Sequence, residues 1–170
     1  MGAGRAIFTR IHPEAKLPTW GTVESVGFDL YTVEDVTIKP GEVVLVRTGL
    51  VGKPPIGCHF ELVLRSGVAV KNPGLVLANS VGVIDPDYSG DTDEIKIALL
   101  NTTCNAFEVA SEEFGKYTSK LYTNGEKHFH FKKGTRLAQL ILRETLRPEI
   151  HESKKTMRTG KRDGFGSTGV

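Results

Sequence analysis

The chain has little cysteine and no long apolar run. Cys58 and Cys104 are the only cysteines among 170 residues. They lie far apart and have no partner histidine at metal-ligand spacing, so neither a disulfide framework nor a zinc site is indicated. No segment approaches the roughly 20 apolar residues of a membrane-spanning helix, and the N-terminus lacks the features of a secretory signal. We therefore expect a cytoplasmic protein that has no membrane partner.

The chain also lacks a strong excess of charge of one sign. Its net charge is +2, and 25% of its residues are charged. This balance is too mild for a nucleic-acid binder, which usually has a strongly basic face. The densest basic stretch, residues 154–162, is consistent either with a solvated linker or with local attraction to phosphate. We expect no nucleic-acid partner.

Glycine and proline interrupt the sequence at short intervals. The 19 glycines and 8 prolines separate segments that are rich in Val, Ile, Phe, Tyr and Thr, and no long amphipathic helix stands out. This pattern predicts an all-β sandwich or barrel, and the length fits one domain over residues 1–170. Strands are predicted at residues 6–11, 36–38, 43–50, 58–64, 75–78, 95–100, 127–131 and 137–142.

Two histidines, His128 and His130, alternate with Phe129 and Phe131. Such a pair could bind a metal ion, but no further ligand accompanies it. Alternation with a period of two also describes a strand whose phenylalanines face the core and whose histidines face outward. We favour the strand.

The last seven residues, Gly164-Phe165-Gly166-Ser167-Thr168-Gly169-Val170, are rich in glycine and hydroxyl groups. Backbone N–H groups and hydroxyls in such a segment can surround a phosphate. The alternative is a frayed terminus. We interpret residues 152–170 as a flexible flap that binds phosphate.

Five segments that carry chemical groups follow one another along the chain. They are Gly27-Phe28-Asp29-Leu30, Arg65-Ser66-Gly67, residues 79–91, residues 134–140 and the tail. Together they resemble the trimeric dUTPases over residues 7–170. The resemblance implies a jelly-roll-like β barrel that assembles as a homotrimer. It also implies that the C-terminal segment is exchanged between subunits, so that each active site takes parts from three chains.

The resemblance further implies hydrolysis of dUTP to dUMP and pyrophosphate, through Mg²⁺-assisted attack of water on the α-phosphorus. Asp85 resembles the catalytic carboxylate that holds the attacking water, a role that suits a carboxylate placed beside a triphosphate. Its alternative role is that of an Asx-turn residue before Pro86. Asp29 resembles the carboxylate that meets Mg²⁺ through water, because this ion keeps part of its hydration.

Residues 79–91 resemble the segment that recognises the nucleoside. Tyr88 resembles the tyrosine whose ring packs under deoxyribose and leaves no room for a 2′-hydroxyl. Gly82 and Ile84 resemble the β-hairpin whose backbone groups read uracil, and Asn79 supports its start. Cytosine would leave buried backbone groups unpaired, so it is rejected.

Two other segments resemble phosphate-binding parts of the family. Arg65 and Ser66, in the Arg65-Ser66-Gly67 segment, resemble the pair that contacts the α and β phosphates. A guanidinium group offers planar, bidentate hydrogen bonds to phosphate oxygens. Gln139 resembles the amide that reaches the outer phosphates.

The resemblance gives each residue of the tail a role. Phe165 would stack on uracil, and Gly166, Ser167 and Thr168 would hold the γ-phosphate. The flap would then close only over a bound triphosphate.

The chain departs from the family pattern just before the flap. Gly160 stands where the family has an arginine, and both Arg158 and Arg162 flank that position. We prefer Arg162 as the flap arginine, because it lies nearer to the flap.

Residues 103–125 form an insert, either a decorated surface loop or an extra hairpin, which a fold tolerates at low entropic cost. Similar inserts occur in some bacteriophage dUTPases, so a phage origin, and with it the host cytoplasm, is expected. The insert also suggests a regulatory protein partner. Two alternative functions are therefore a dUTP-gated regulatory binding protein acting through the insert, and the related dCTP deaminase.

Overall fold

The computed structural model describes residues 4–103, 107–113, 116–122 and 127–154. Within these residues the chain forms fourteen strands and one short helix, which confirms the all-β prediction. The elements are β1 (Ile7–Arg10), β2 (Thr19–Trp20), β3 (Gly27–Tyr31), β4 (Val36–Ile38), β5 (Val43–Arg47), β6 (Leu50–Lys53), β7 (Cys58–Leu64), α1 (Ser66–Lys71), β8 (Leu75–Leu77), β9 (Gly82–Ile84), β10 (Lys96–Asn101), β11 (Phe107–Glu113), β12 (Lys116–Tyr122), β13 (Phe129–Phe131) and β14 (Arg136–Glu144).

The largest sheet has five antiparallel strands in the order β2-β3-β14-β7-β9. A second sheet has the order β5-β10-β8, and β1 pairs with β6 while β13 pairs with β4. One hydrophobic core contains side chains from both larger sheets, among them Leu30, Phe60 and Leu140 from the first and Ile97 and Leu99 from the second. The alternation of burial along β10 places Ile97 and Leu99 in this core and turns Leu100 to the other face.

An aromatic cluster attaches β1 to the five-stranded sheet. Phe8 stacks on Phe60 with ring centroids 5.6 Å apart and meets the edge of Phe28 at 5.8 Å. Trp20 of β2 packs edge-on against Phe28 at 5.0 Å. Each such pair stabilises a fold by about 0.5–1.5 kcal/mol beyond its buried area.

Several strands match the prediction, and one does not. The predicted strands at residues 36–38 and 58–64 are observed with the same bounds, and His128 and His130 do face outward beside buried Phe129. The single strand predicted at residues 43–50 was wrong, because the chain breaks into β5 and β6 at Gly49. Gly49 has φ of 67°, and a Cβ there would lie 2.6 Å from the Cβ of His12. Only glycine fits this position without strain.

Residues 107–113 and 116–122 pair as an antiparallel hairpin within the predicted insert. Buried Asn101 holds its base. The Asn101 Nδ2 donates to the carbonyl oxygens of Ile38 at 3.0 Å and Lys127 at 2.7 Å, and its Oδ1 accepts from the Thr103 backbone N–H at 3.0 Å. Thr103 and Lys127 are thus fixed on either side of the hairpin by one fully hydrogen-bonded amide.

The outer face of the β5-β10-β8 sheet is apolar. The pairing register places Leu45 opposite Ala98, and Leu100 opposite both Val43 and Val76. Val43, Leu45 and Val76 are exposed there, whereas the opposite face of the sheet contributes to the core. The described residues contain no helix long and apolar enough to cross a membrane.

Candidate functional site

A pocket of about 380 Å³ opens between β9, β10 and β5. It contains five of the predicted nucleoside-binding residues: Asn79, Gly82, Ile84, Asp85 and Tyr88. The structure therefore brings one predicted group together in a single concave site. Its wall also includes residues that the sequence did not identify, among them Leu45, Glu94 and Lys96. Leu45 comes to the pocket through the long-range pairing of β5 with β10, of which Lys96 is part, and Glu94 lies just before β10.

The backbone at the entrance to β9 makes a tight turn. The Val81 N–H donates to the Asn79 carbonyl oxygen at 2.6 Å, and Ser80 between them has φ of 61°. A three-residue turn of this kind is rare and stores roughly 1–3 kcal/mol of strain. Gly82 follows it, and a Cβ there would lie 3.1 Å from the Leu62 Cβ. The turn and Gly82 together keep polar backbone groups at the pocket, where a nucleobase edge could meet them.

Asp85 begins a tight turn at the pocket rim. The Tyr88 N–H donates to the Asp85 carbonyl oxygen at 3.1 Å, and the Asp85 side chain is exposed. Within the described residues its carboxylate has no hydrogen-bond or ion-pair partner, so it does not form the Asx turn that was its alternative role. An exposed carboxylate that is not occupied by the protein is available to a ligand or a water molecule.

Tyr88 is held at both of its ends. Its backbone lies in the Asp85 turn, and its hydroxyl donates to the Glu94 carbonyl oxygen at 3.1 Å. The residue is nevertheless 43% exposed, so it remains partly open to the solvent. A tyrosine in this state presents a fixed surface to whatever occupies the pocket.

A second group of predicted residues lies around Asp29. This carboxylate is 3% exposed, and it forms ion pairs with Arg65 (Nε to Oδ1, 2.7 Å) and Arg136 (Nη1 to Oδ2, 3.1 Å). Arg136 was not assigned a role from the sequence, although it lies in a segment that carried the resemblance. Paired with one buried carboxylate, the two guanidinium groups keep donors free for an anionic ligand.

The other residues of this group lie on neighbouring elements. Ser66 and Gly67 are exposed in the first turn of α1, directly after Arg65. Gln139 of β14 is the register partner of Asp29, and its Oε1 would lie 2.8 Å from a Cβ added at Gly27. The glycine therefore leaves the space that the Gln139 side chain fills.

Asp85 and Arg65, one from each group, lie far apart within one chain. β9 pairs with β7 so that Ile84 is opposite Phe60, and Asp85 follows at the His59 end of β7. Arg65 follows the other end of β7. Positions 59 and 65 are six steps apart along the strand, which at about 3.3 Å per residue places Asp85 and Arg65 roughly 20 Å apart. One chain does not bring Arg65 and Asp85 together.

Magnesium could be bound here only through water or ligand oxygens. Among the described residues, no group of three or more His, Cys, Asp or Glu side chains is arranged to hold a metal ion. Each Asp29 oxygen accepts one guanidinium N–H group and keeps a second lone pair, so it can still accept a hydrogen bond from a metal-bound water. A hydrated Mg²⁺ is therefore compatible with Asp29.

Comparison with known proteins assigns the chain to a family. The dUTPase family model matches residues 13–113 and 115–169. The chain belongs to the dUTPase family. It is 36% identical over 161 residues to the deoxyuridine 5′-triphosphate nucleotidohydrolase of Nautilia profundicola, with 94% of this chain and 95% of that protein covered. The Helicobacter pylori (strain P12) nucleotidohydrolase is also 36% identical, over 95% of this chain and 94% of its own.

Solved structures of phage dUTPases have the same fold. The dUTPase of Staphylococcus bacteriophage 80alpha, solved with dUPNHPP, superposes with a TM-score of 0.75 and 25% identity, covering 98% of this chain and 99% of that one. The dUTPase of S. aureus phage phi11 superposes with a TM-score of 0.69 and 22% identity, covering 91% and 99%. That phi11 structure describes the coordination of a structural Mg(II) ion.

These comparisons confirm the predicted family and activity: the chain is a dUTPase, an enzyme that hydrolyses dUTP. The dCTP deaminase alternative gains no support from the two relatives named above, which are both nucleotidohydrolases. The roles of individual residues remain predictions. Those of the flap, namely Arg162, Phe165, Gly166, Ser167 and Thr168, lie outside the described residues, as do Arg158 and Gly160.

Proposed function

We propose that this dUTPase assembles each active site from more than one subunit of a homotrimer. One chain supplies the nucleoside pocket with Asp85 and Tyr88, and a second supplies Arg65, Ser66 and Gln139. The observation that carries this proposal is the separation of roughly 20 Å between Asp85 and Arg65 along β7. Both residues are assigned to the α-phosphate, Asp85 through the attacking water and Arg65 by direct contact, so they must converge on one phosphorus atom, which they do not do within one chain.

In the pocket, Asp85 orients the attacking water and takes up its proton. Its carboxylate is exposed and has no partner within the described residues, so its oxygens are free to accept from water. Tyr88 packs against the deoxyribose, where a 2′-hydroxyl would clash. The backbone groups of Gly82 and Ile84, supported by Asn79, read the uracil edge, and a wrong base leaves them unpaired.

At the other group, Arg65 and Ser66, with Gly67 beside them, bind the α and β phosphates, and Gln139 reaches the outer phosphates. Asp29 orients Arg65 by its 2.7 Å ion pair, and Arg136 shares that carboxylate. A guanidinium group that is already oriented loses less side-chain entropy when it binds phosphate. When it is bound, Mg²⁺ neutralises triphosphate charge, and Asp29 is the residue that would hold it through water.

The flap completes the site. We propose that residues 152–170 close over the bound triphosphate and cross to a neighbouring subunit, with Phe165 on uracil and Gly166, Ser167 and Thr168 on the γ-phosphate. Arg162 supplies the positive charge of the flap. Such closure excludes water and makes turnover depend on the triphosphate.

A mixing experiment tests the shared site. The Asp85→Asn and Arg65→Gln variants are each expected to be nearly inactive. In trimers formed by refolding the two together, one of the three sites in every mixed trimer has both native residues. Random association therefore predicts recovery of about one quarter of the wild-type activity.

Each variant refolded alone is the control and is expected to recover nothing. Differently tagged chains and native mass measurement show whether mixed assemblies have formed. Mixed assemblies without recovered activity would show that Asp85 and Arg65 serve one site within the same chain, or that Arg65 is not part of the site.

A second role is motivated by the insert. We propose that the β11–β12 hairpin binds a regulatory protein partner, with dUTP as the gating ligand. Asn101 fixes the residues that flank the hairpin, so replacing the hairpin should leave the barrel intact. The similar 80alpha dUTPase is described as controlling the transfer of virulence genes.

The test replaces residues 104–126 by a short glycine-serine linker. We expect unchanged dUTP turnover. We also expect the shortened chain to lose any partner that the full-length chain retains from the lysate of its own host, both with and without dUTP. Retention of the same partner by the shortened chain would contradict this role.

A further inference from the structure

Glu94 is a buried carboxylate in the pocket wall to which the activity gives no role. It is 5% exposed and lies at the start of the segment that enters β10. A buried charge without a function is costly, because it must be removed from water. Its contacts therefore indicate what it does.

The carboxylate of Glu94 is fully engaged by the neighbouring β5–β6 turn. Its Oε1 accepts the Gly49 backbone N–H at 2.7 Å, and its Oε2 accepts the Arg47 Nε at 3.0 Å. This hydrogen bond, together with the charge of Glu94, raises the pKa of Arg47. Because both oxygens are paired with the β5–β6 turn and the side chain is only 6% exposed, Glu94 is not placed to transfer a proton to or from a substrate. It acts as an anchor.

Glu94 anchors the loop that carries the pocket residues Asp85 and Tyr88. The Gly90 N–H donates to Asp93 Oδ2 at 2.7 Å, and the Asp93 N–H donates back to the Gly90 carbonyl oxygen at 3.1 Å, which closes the loop on itself. The loop then meets the barrel at Glu94. The Glu94 carbonyl oxygen accepts the Tyr88 hydroxyl, so the same residue holds the barrel by its side chain and the tyrosine by its main chain.

We infer that Glu94 is the positioning residue for Tyr88 and thereby sets how strictly the enzyme distinguishes deoxyribose from ribose. The inference rests on the proposed role of Tyr88. Steric exclusion of one hydroxyl group works only if the ring does not yield, since a shift of a fraction of an ångström makes room for the extra oxygen. Tyr88 is partly exposed, so the pocket does not enclose its ring. The hydrogen bond from its hydroxyl to the anchored Glu94 holds the ring in place.

The test compares Glu94→Ala with the conservative Glu94→Gln, which keeps an acceptor for the Gly49 N–H. The affinities for dUMP and UMP are measured by calorimetry, and kcat/KM is measured for dUTP and UTP. We expect Glu94→Ala to lower the deoxyribose preference about three- to tenfold, the size of one hydrogen bond, and Glu94→Gln to lower it less. Glu14→Gln, which neutralises an exposed pair with Lys133, is the matched control and should leave the preference unchanged.

A double variant separates positioning from general support. If Glu94 acts through the Tyr88 hydroxyl, Glu94→Ala should cause little further loss of preference in a Tyr88→Phe background, because coupled residues are not additive. If Glu94→Ala does not fold, Arg47→Gln removes one of the two anchors at a half-exposed side chain and should lower the preference by a smaller factor.

The outcomes are distinct. Lower thermal stability with an unchanged preference would overturn the inference and leave Glu94 as structural. If the wild-type enzyme binds dUMP no better than UMP, the proposed role of Tyr88 fails, and the inference fails with it, before any variant is made. A preference that falls with Glu94→Ala and recovers in Glu94→Gln supports positioning.

Discussion

The two groups of site residues hold their charges in opposite ways. Around Asp29, a buried carboxylate is already paired with Arg65 and Arg136 at 2.7 and 3.1 Å. At the pocket, the Asp85 carboxylate is exposed and has no partner within the described residues. The fold preorganises the charges of the Asp29 group, whereas the Asp85 carboxylate is left free to interact with substrate and water.

This difference separates stability from chemistry. Removing the charge of buried Asp29 leaves the partly exposed guanidinium groups of Arg65 and Arg136 without their carboxylate, so the fold is destabilised. Removing the charge of Asp85 leaves nothing unpaired, so the loss should appear in turnover alone.

The largest effect is expected for Asp85→Asn. Loss of the group that orients and deprotonates water should lower kcat by about 100- to 10,000-fold, measured as pyrophosphate release from dUTP. Stability should change by less than about 0.5 kcal/mol in thermal unfolding, because the side chain is exposed. A comparable loss of stability would show that Asp85 supports the fold and would remove the contrast between the two groups.

The Asp29→Asn variant, unlike Asp85→Asn, should lower the stability of the fold. Two arginines lose their carboxylate, which should destabilise the chain by about 1–3 kcal/mol, less than for a fully buried pair because both arginines reach solvent. Urea unfolding measures the loss. Glu61→Gln, which breaks the exposed Arg143 pair on the same sheet, is the control and should cost under about 0.5 kcal/mol. Equal losses in the two variants would contradict preorganisation at Asp29.

Gly27→Ala should perturb the Asp29 group more gently. The added Cβ would meet the Gln139 Oε1 at 2.8 Å, and a flexible amide can move away. We expect a change in stability below about 1 kcal/mol and a KM for dUTP raised about three- to tenfold. In a Gln139→Ala background the glycine substitution should add almost nothing. A full additional effect there would mean that Gly27 acts through another contact.

The smallest effect concerns an exposed surface pair, Asp35 with Lys132, that belongs to neither group. The hydrogen bond from Lys132 holds the pKa of Asp35 below its ordinary value of 3.8. A lowered native pKa contributes stability at pH values above the ordinary pKa of the group. The contribution is lost as the pH falls through the native pKa. The small difference in melting temperature between wild type and Asp35→Asn should therefore be present at pH 7 and shrink below about pH 3.8. A difference that grows in acid would contradict this sign.

The sequence predicted the residues of the pocket better than their surroundings. Asn79, Gly82, Ile84, Asp85 and Tyr88 lie within ten consecutive positions, so local strand and turn patterns bring them together. Arg136 meets Asp29 across 107 positions and Glu94 meets Arg47 across 47, and no local pattern encodes such pairings. The break at Gly49 was missed for a related reason, since it is set by the side chains of His12, Ala15 and Val33.

The apolar outer face of the β5-β10-β8 sheet matters most while the protein is being made. A newly synthesised chain presents Val43, Leu45 and Val76 to its surroundings as soon as this sheet has formed. Exposed aliphatic side chains on neighbouring strands attract other apolar surfaces without specificity. Slow expression at low temperature should therefore raise the yield of native enzyme, because fewer immature chains are present together at any moment.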